Sequence, residues 1–219
     1  MEKNIMRIAT VNVSQEVLLS ALGMDSGDGR ADKIDKLRTA GLEIARPVSL
    51  YIPVQPELAD GEVLIGGERF REPFVYEMLS GSQTVVPYVA TCGTEIDEWS
   101  KQFRDPFEHF AVSKLKELCL FRMLDELMNF VKESYFDKTK NISAINPGSI
   151  REWPLTGQVP LFAVLGSEAR DIGVSLSDAL WMTPHKSVSG IMFQSDSTYE
   201  NCQLCPRLDC PNRRADYIG

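Results

Sequence analysis

The chain has only 2 histidines in 219 residues, and its 23 basic side chains are outnumbered by 31 acidic ones. A net charge of −8 disfavours nonspecific nucleic-acid binding, because counterion release from phosphates needs a basic surface. No apolar run approaches the roughly 18 residues that span a bilayer, and the opening Met1-Glu2-Lys3-Asn4-Ile5-Met6 lacks the apolar core of a secretory signal. No membrane role is expected, and the chain reads as cytoplasmic. A Ser/His/Asp set, a phosphate-cradling glycine loop and a paired-carboxylate pattern are also missing. Internal repeats and low-complexity segments are absent too.

What is present is a large apolar fraction, 43%, enough to bury a substantial core. The expected organisation is a single domain over 1–219 with a cysteine-bearing tail over 200–219. Strands are expected at 5–13, 48–52, 62–65, 84–91, 172–176 and 186–193. Pro87 argues that the strand over 84–91 lies at an edge or carries a bulge, since proline donates no ladder bond. Ser14 is placed to cap a short helix to residue 22, and Pro47 ends a second over 33–45. Further helices are expected at 74–79, 94–103 and 157–165, with a helical turn at 177–180. The longest runs over 106–135, where Phe107, Phe110, Ala111, Leu115, Leu118, Leu124, Leu127, Met128 and Val131 keep helical spacing. That stripe reads as core packing rather than as a cofactor-contacting face. Residues 137–141 form a polar break. Strands and helices mix without regular alternation, so the fold class is α+β with a mainly antiparallel twisted sheet.

Three of the 5 cysteines stand together in Cys202-Gln203-Leu204-Cys205-Pro206-Arg207-Leu208-Asp209-Cys210. The two-residue gap between the first pair lets two thiolates reach one ion, and Pro206 and Pro211 stiffen the turns after ligands. The candidates are zinc or an iron–sulfur cluster, with Cys92 the leading fourth ligand; the alternative is free thiols or a disulfide. Cys119, between two leucines of the long helix, reads as a core thiol.

Two polar loops flank one short helix near the C-terminal end. The first is Asn146-Pro147-Gly148-Ser149, where Pro fixes φ and Gly accepts a positive one. The second is Lys186-Ser187-Val188-Ser189-Gly190, which runs into the apolar Ile191-Met192-Phe193. Such loops present N–H groups and hydroxyls to a zwitterionic ligand or serve only as tight connections.

The order Pro147-Gly148, Trp153-Pro154-Leu155, Gln158, Leu161-Phe162, Ile172-Gly173-Val174, Leu176, Met182, Pro184 and Lys186 to Gly190 resembles the activation domain of vitamin B12-dependent methionine synthase. It is most similar to the small free-standing members of that family. Upstream, Ala90-Thr91-Cys92-Gly93 also fits. The resemblance implies a reactivation component rather than a complete enzyme. It would bind S-adenosylmethionine through Asn146, Pro147, Gly148, Ser149, Lys186, Ser187, Val188, Ser189, Gly190 and Tyr199. The sulfonium methyl would be presented to cobalamin on a corrinoid-bearing methyltransferase or corrinoid protein, with a reductase as a further partner and no catalytic side chain. In the large enzymes an Arg four residues before the loop Gly and a Tyr just after it help hold the ligand; here those positions are Ala144 and Ser149. This departure supports an alternative: a metal- or iron–sulfur-binding accessory module for a corrinoid protein that has lost S-adenosylmethionine binding.

Overall fold

The computed structural model describes residues 1–196, 198–210 and 212–218. The chain runs β1 (Asn4–Arg7), α1 (Gln15–Ala21), α2 (Ala31–Ile44), β2 (Val48–Tyr51), β3 (Glu57–Ala59), β4 (Glu62–Ile65), β5 (Glu68–Phe70), α3 (Pro73–Leu79) and β6 (Val85–Thr91). It continues through α4 (Thr94–Ser100), α5 (Pro106–Tyr135), β7 (Asn141–Ile145), α6 (Gln158–Leu165), α7 (Glu168–Asp171), β8 (Ser175–Leu176), β9 (Met182–Thr183) and β10 (Ser187–Ser195).

Local chemistry sets the helix starts. Ser14 caps α1 by accepting from the Val17 amide at 3.3 Å, and Asp105 caps α5 by accepting from the Glu108 amide at 2.9 Å. Pro106 then occupies the first helical position, where its missing N–H is no loss. Gly66 and Gly67 both take positive φ, the requirement of the tight turn that joins β4 to β5.

The main sheet has the order β1-β2-β6-β10-β7, and every neighbouring pair is antiparallel. The fold is thus α+β, as the sequence implies. Its centre departs from the proline argument: β6 is buried along its whole length and pairs on both sides. Pro87 is tolerated at the end of β2: the ladder stops at Tyr51 opposite Tyr88, the Ile52 amide still donates to the Pro87 carbonyl at 3.0 Å, and the next bridge is Val54 with Val85. The proline nitrogen therefore meets a gap in the ladder.

Two apolar layers cover the sheet. On one face α1, α2, α4 and α5 supply Leu18, Ile34, Ile96, Leu115, Met123 and Leu127 against Tyr88, Ala90 and Met192. On the other, β4, β5, α3, α6 and α7 pack Val63, Phe70, Leu79, Leu161 and Ala169 against Leu50, Val89 and Ile191. The stripe on α5 packs into this core as its spacing predicts, except Phe110, which is exposed. Among the described residues, no helix is long and apolar enough to cross a membrane.

Two differences from expectation bear on the site. The expected polar break stands as a turn over 137–140, but an unexpected strand follows it: β7, which pairs with β10 only from Ile191 to Ser195. Residues 187–190 of β10 therefore run beyond the end of their neighbour. The expected strand over 172–176 contracts to Ser175–Leu176, because Gly173 at φ 79° belongs to the turn that leaves α7. Residues 177–181 form a closed loop, with the Ser177 amide donating to the Trp181 carbonyl at 3.0 Å.

Candidate functional site

The loop that follows β7 is a turn with its own anchor. The Ser149 amide donates to the Asn146 carbonyl at 3.2 Å, with Pro147 and then Gly148 at φ 82° between them. Proline followed by a positive-φ glycine is the type II pattern. A Cβ on Gly148 would lie 2.8 Å from Leu155 Cδ1, so space as well as φ favours glycine here. The Gly148 amide donates to the Trp153 carbonyl at 2.8 Å. Trp153 is fully buried, its ring edge-on to Phe70, and it supports the loop from below rather than facing a ligand.

Asn146 joins three parts of the chain. Its Nδ2 donates to Tyr88 Oη at 2.9 Å and to the Ser189 carbonyl at 2.8 Å, and its Oδ1 accepts from Asn201 Nδ2 at 2.8 Å. Burial pushes the Tyr88 phenol up to about 12, so the hydroxyl stays protonated. Gly190 lets this side chain approach: a Cβ there would sit 2.4 Å from both Asn146 Nδ2 and the Ile145 carbonyl oxygen.

Between the turn and the overhanging end of β10 lies a groove of about 380 Å³, within the range of small-molecule sites. Asn146, Pro147, Gly148 and Ser149 wall one side; Ser187, Val188 and Ser189 wall the other. Leu155, Gln158, Leu180, Trp181, Met182 and His185 complete it. Lys186 bonds towards β6, its carbonyl accepting from the Cys92 amide at 3.0 Å. The main-chain groups of Ser187 and Ser189 therefore turn to the side that β7 leaves vacant. The Ser187 hydroxyl is engaged, donating to the Pro184 carbonyl at 2.7 Å. Gln158 and Ser189 both line the groove, and each carries a buried side-chain oxygen, Oε1 and Oγ, with no hydrogen-bond partner, which is uncommon for buried polar atoms.

Seven of the ten expected ligand residues thus line one groove, and three do not. Lys186 turns to α5, where its Nζ bonds Glu117 Oε2 at 2.9 Å. Gly190 is spacing, as above. Tyr199 lines an adjoining cavity under the tail, its ring against Phe74 and its buried hydroxyl without a partner. Leu180, Trp181 and His185 were not expected at the site. Leu180 takes φ 62°, uncommon for a branched residue, and Trp181 is 64% exposed at the groove rim. An isolated tryptophan in a loop carries no spacing signal, so only the tertiary fold reveals this rim.

The cysteines do not form the expected centre. Among the described residues, no group of three or more His, Cys, Asp or Glu side chains is placed to hold a metal ion. Cys92 is not a ligand of the tail: it is buried in the helix-covered core with Cys119, and burial pushes both thiols up to about 12. What gathers the tail is Arg213. Its Nη1 donates to the carbonyls of Cys202 at 2.7 Å and Ala215 at 2.9 Å. Its Nη2 donates to those of Cys205 and Arg207, both at 2.8 Å. A guanidinium fork satisfies carbonyls that would otherwise compete for water. Cys202, Cys205 and Cys210 are half-buried free thiols around this clamp. Pro211 lies outside the described residues.

No family model matches the sequence, and no curated protein does. The fold is similar to that of the MetH reactivation domain, solved in a crystal structure bound to AdoHcy. The TM-score is 0.62 at 14% identity, covering 90% of this chain and 80% of that one.

Proposed function

We propose that this chain binds S-adenosylmethionine in the groove between residues 146–149 and 187–189 and acts as a reactivation component for a corrinoid-dependent methyltransferase such as methionine synthase. The observation that carries the reading is the groove itself. The two loops that resemble the activation-domain family converge on it, it holds buried polar atoms without partners, and the fold is shared with a domain whose structure contains AdoHcy. Leu155, Leu180, Trp181 and Met182 offer apolar cover for a nucleoside. The open edge of β10 offers main-chain groups to its polar atoms.

Cobalamin, if held on a partner, would supply the chemistry that accepts the sulfonium methyl. The residues of this chain bind and orient the methyl donor and keep water from it, so no side chain needs to act as acid or base. Calorimetric titration with S-adenosylmethionine, alone and with a corrinoid protein, tests the reading. Saturable binding at a 1:1 ratio supports it; a flat titration to millimolar ligand in both settings removes it.

Ala144 and Ser149 in place of the family's Arg and Tyr favour a second reading, an interaction module for a corrinoid protein without ligand binding. Corrinoid-protein association that persists in a chain with a flat titration is the outcome this second reading requires.

A further inference from the structure

The groove does not end at the turn. Asn146, Ser149 and Val188 line it and also line a second cavity of about 240 Å³, closed by α5 on one side and the C-terminal tail on the other. Asn146, Ser149 and Val188 are thus shared walls of the two spaces. Three charged groups stand on the second cavity: Asp125 from α5, and Glu200 and Arg214 from the tail. Glu200 is engaged, its carboxylate accepting from the Gln203 amide in a capping box. Among the described residues, neither Asp125 nor Arg214 has an ion-pair partner. The Arg214 guanidinium lies over the Phe121 ring, 5.7 Å from its centroid. Tyr199 Oη and Asn201 Oδ1, both buried here, add an unpaired donor and an unpaired acceptor.

One cavity therefore carries at its exposed rim a cation and an anion not paired with each other, and neutral polar atoms in its lining. An anionic ligand would satisfy Arg214 alone, and a cationic one Asp125 alone. A zwitterion satisfies both, as charge-assisted hydrogen bonds at its two ends. We propose that the cavity under the tail receives the α-amino-acid end of the ligand, with Arg214 holding its carboxylate and Asp125 its ammonium. The inference rests on nucleoside binding in the groove, and it gives the tail a function: the Arg213 clamp places the next residue, Arg214, against the ligand.

The test compares S-adenosylhomocysteine with 5′-methylthioadenosine, the same nucleoside thioether without the amino-acid end. Both are titrated calorimetrically into the full chain, into Arg214→Gln and into Asp125→Asn. The unaltered chain should prefer S-adenosylhomocysteine by about tenfold or more, the scale of one charge-assisted bond. In each variant that preference should fall about fivefold or more while affinity for methylthioadenosine is kept. A preference that survives either substitution, or an equal loss for both ligands, overturns the assignment. Equal affinity of the unaltered chain for the two ligands overturns it too and leaves groove binding standing. Binding of neither removes groove binding and this inference together.

Discussion

Asn201 Nδ2 donates to Asn146 Oδ1 at 2.8 Å, and through this bond the tail is tied to the turn that walls the groove. Residues 55 apart in sequence thereby share one amide network with Tyr88 and Ser189. Asn146 lines both the groove and the tail cavity, so the geometry of this network bears on the shape of both.

Asn146→Ala should therefore destabilise the fold by about 1–3 kcal/mol, because the buried Tyr88 hydroxyl and the Ser189 carbonyl lose their partner. Urea denaturation measures this. A loss under about 0.5 kcal/mol, the ordinary scatter of surface substitutions, would show that water or a neighbour replaces the amide freely.

Gly148→Val tests the turn. Positive φ costs a branched residue about 1–2 kcal/mol, and the added atoms would press on Leu155. A cooperative melt at lower Tm, together with lost S-adenosylmethionine binding, is the expected pair of results. Unchanged affinity in the folded variant would move the ligand away from the turn.

Arg213→Met should loosen the tail while leaving the two cores intact, since the guanidinium holds the carbonyls of Cys202 and Cys205. Thiol titration with an aromatic disulfide reads this directly. Cys202 and Cys205 should react faster in the variant, while Cys92 and Cys119 stay silent until unfolding because both are buried. A chelator should leave the unaltered chain's rates unchanged. Acceleration by chelator equal to that by the substitution would restore a metal to the tail.

Acid should weaken the join between α5, β10 and the tail through Glu117. Burial raises the pKa of this carboxyl, but hydrogen bonds from Lys186 and Asn212 outweigh it and hold the value below 4.5. A depressed folded-state pKa means that the stabilisation is complete above the unfolded value and fades as pH falls through the folded one. Glu117→Gln should therefore lower stability at neutral pH and flatten its decline below about 4.5. Parallel acid-denaturation curves for the two proteins would assign no such role to the carboxylate.

Much of this structure is legible residue by residue, where a local signal decides the outcome. Asp105-Pro106 and the apolar spacing behind it specify α5, and Pro147-Gly148 specifies a turn. Expectation failed where distant neighbours decide. Pro87 sits in the central strand because the regular β2 ladder ends opposite it, which no window around residue 87 contains. β7 is short, and its Ile142, Ala144 and Ile145 give too little alternation to stand out beside a polar run. The tail cysteines suggested a metal because their spacing is local, whereas the Arg213 clamp depends on carbonyl directions that side-chain identity does not encode.

The early end of β7 has a second consequence. A sheet edge left open beyond a short neighbour is also offered to a strand from another copy of the chain. Here a carboxamide takes the seat of the next peptide unit, since Asn146 reaches the Ser189 carbonyl at 2.8 Å as a backbone N–H would. One side chain thus occupies a carbonyl that a second copy's strand would otherwise take.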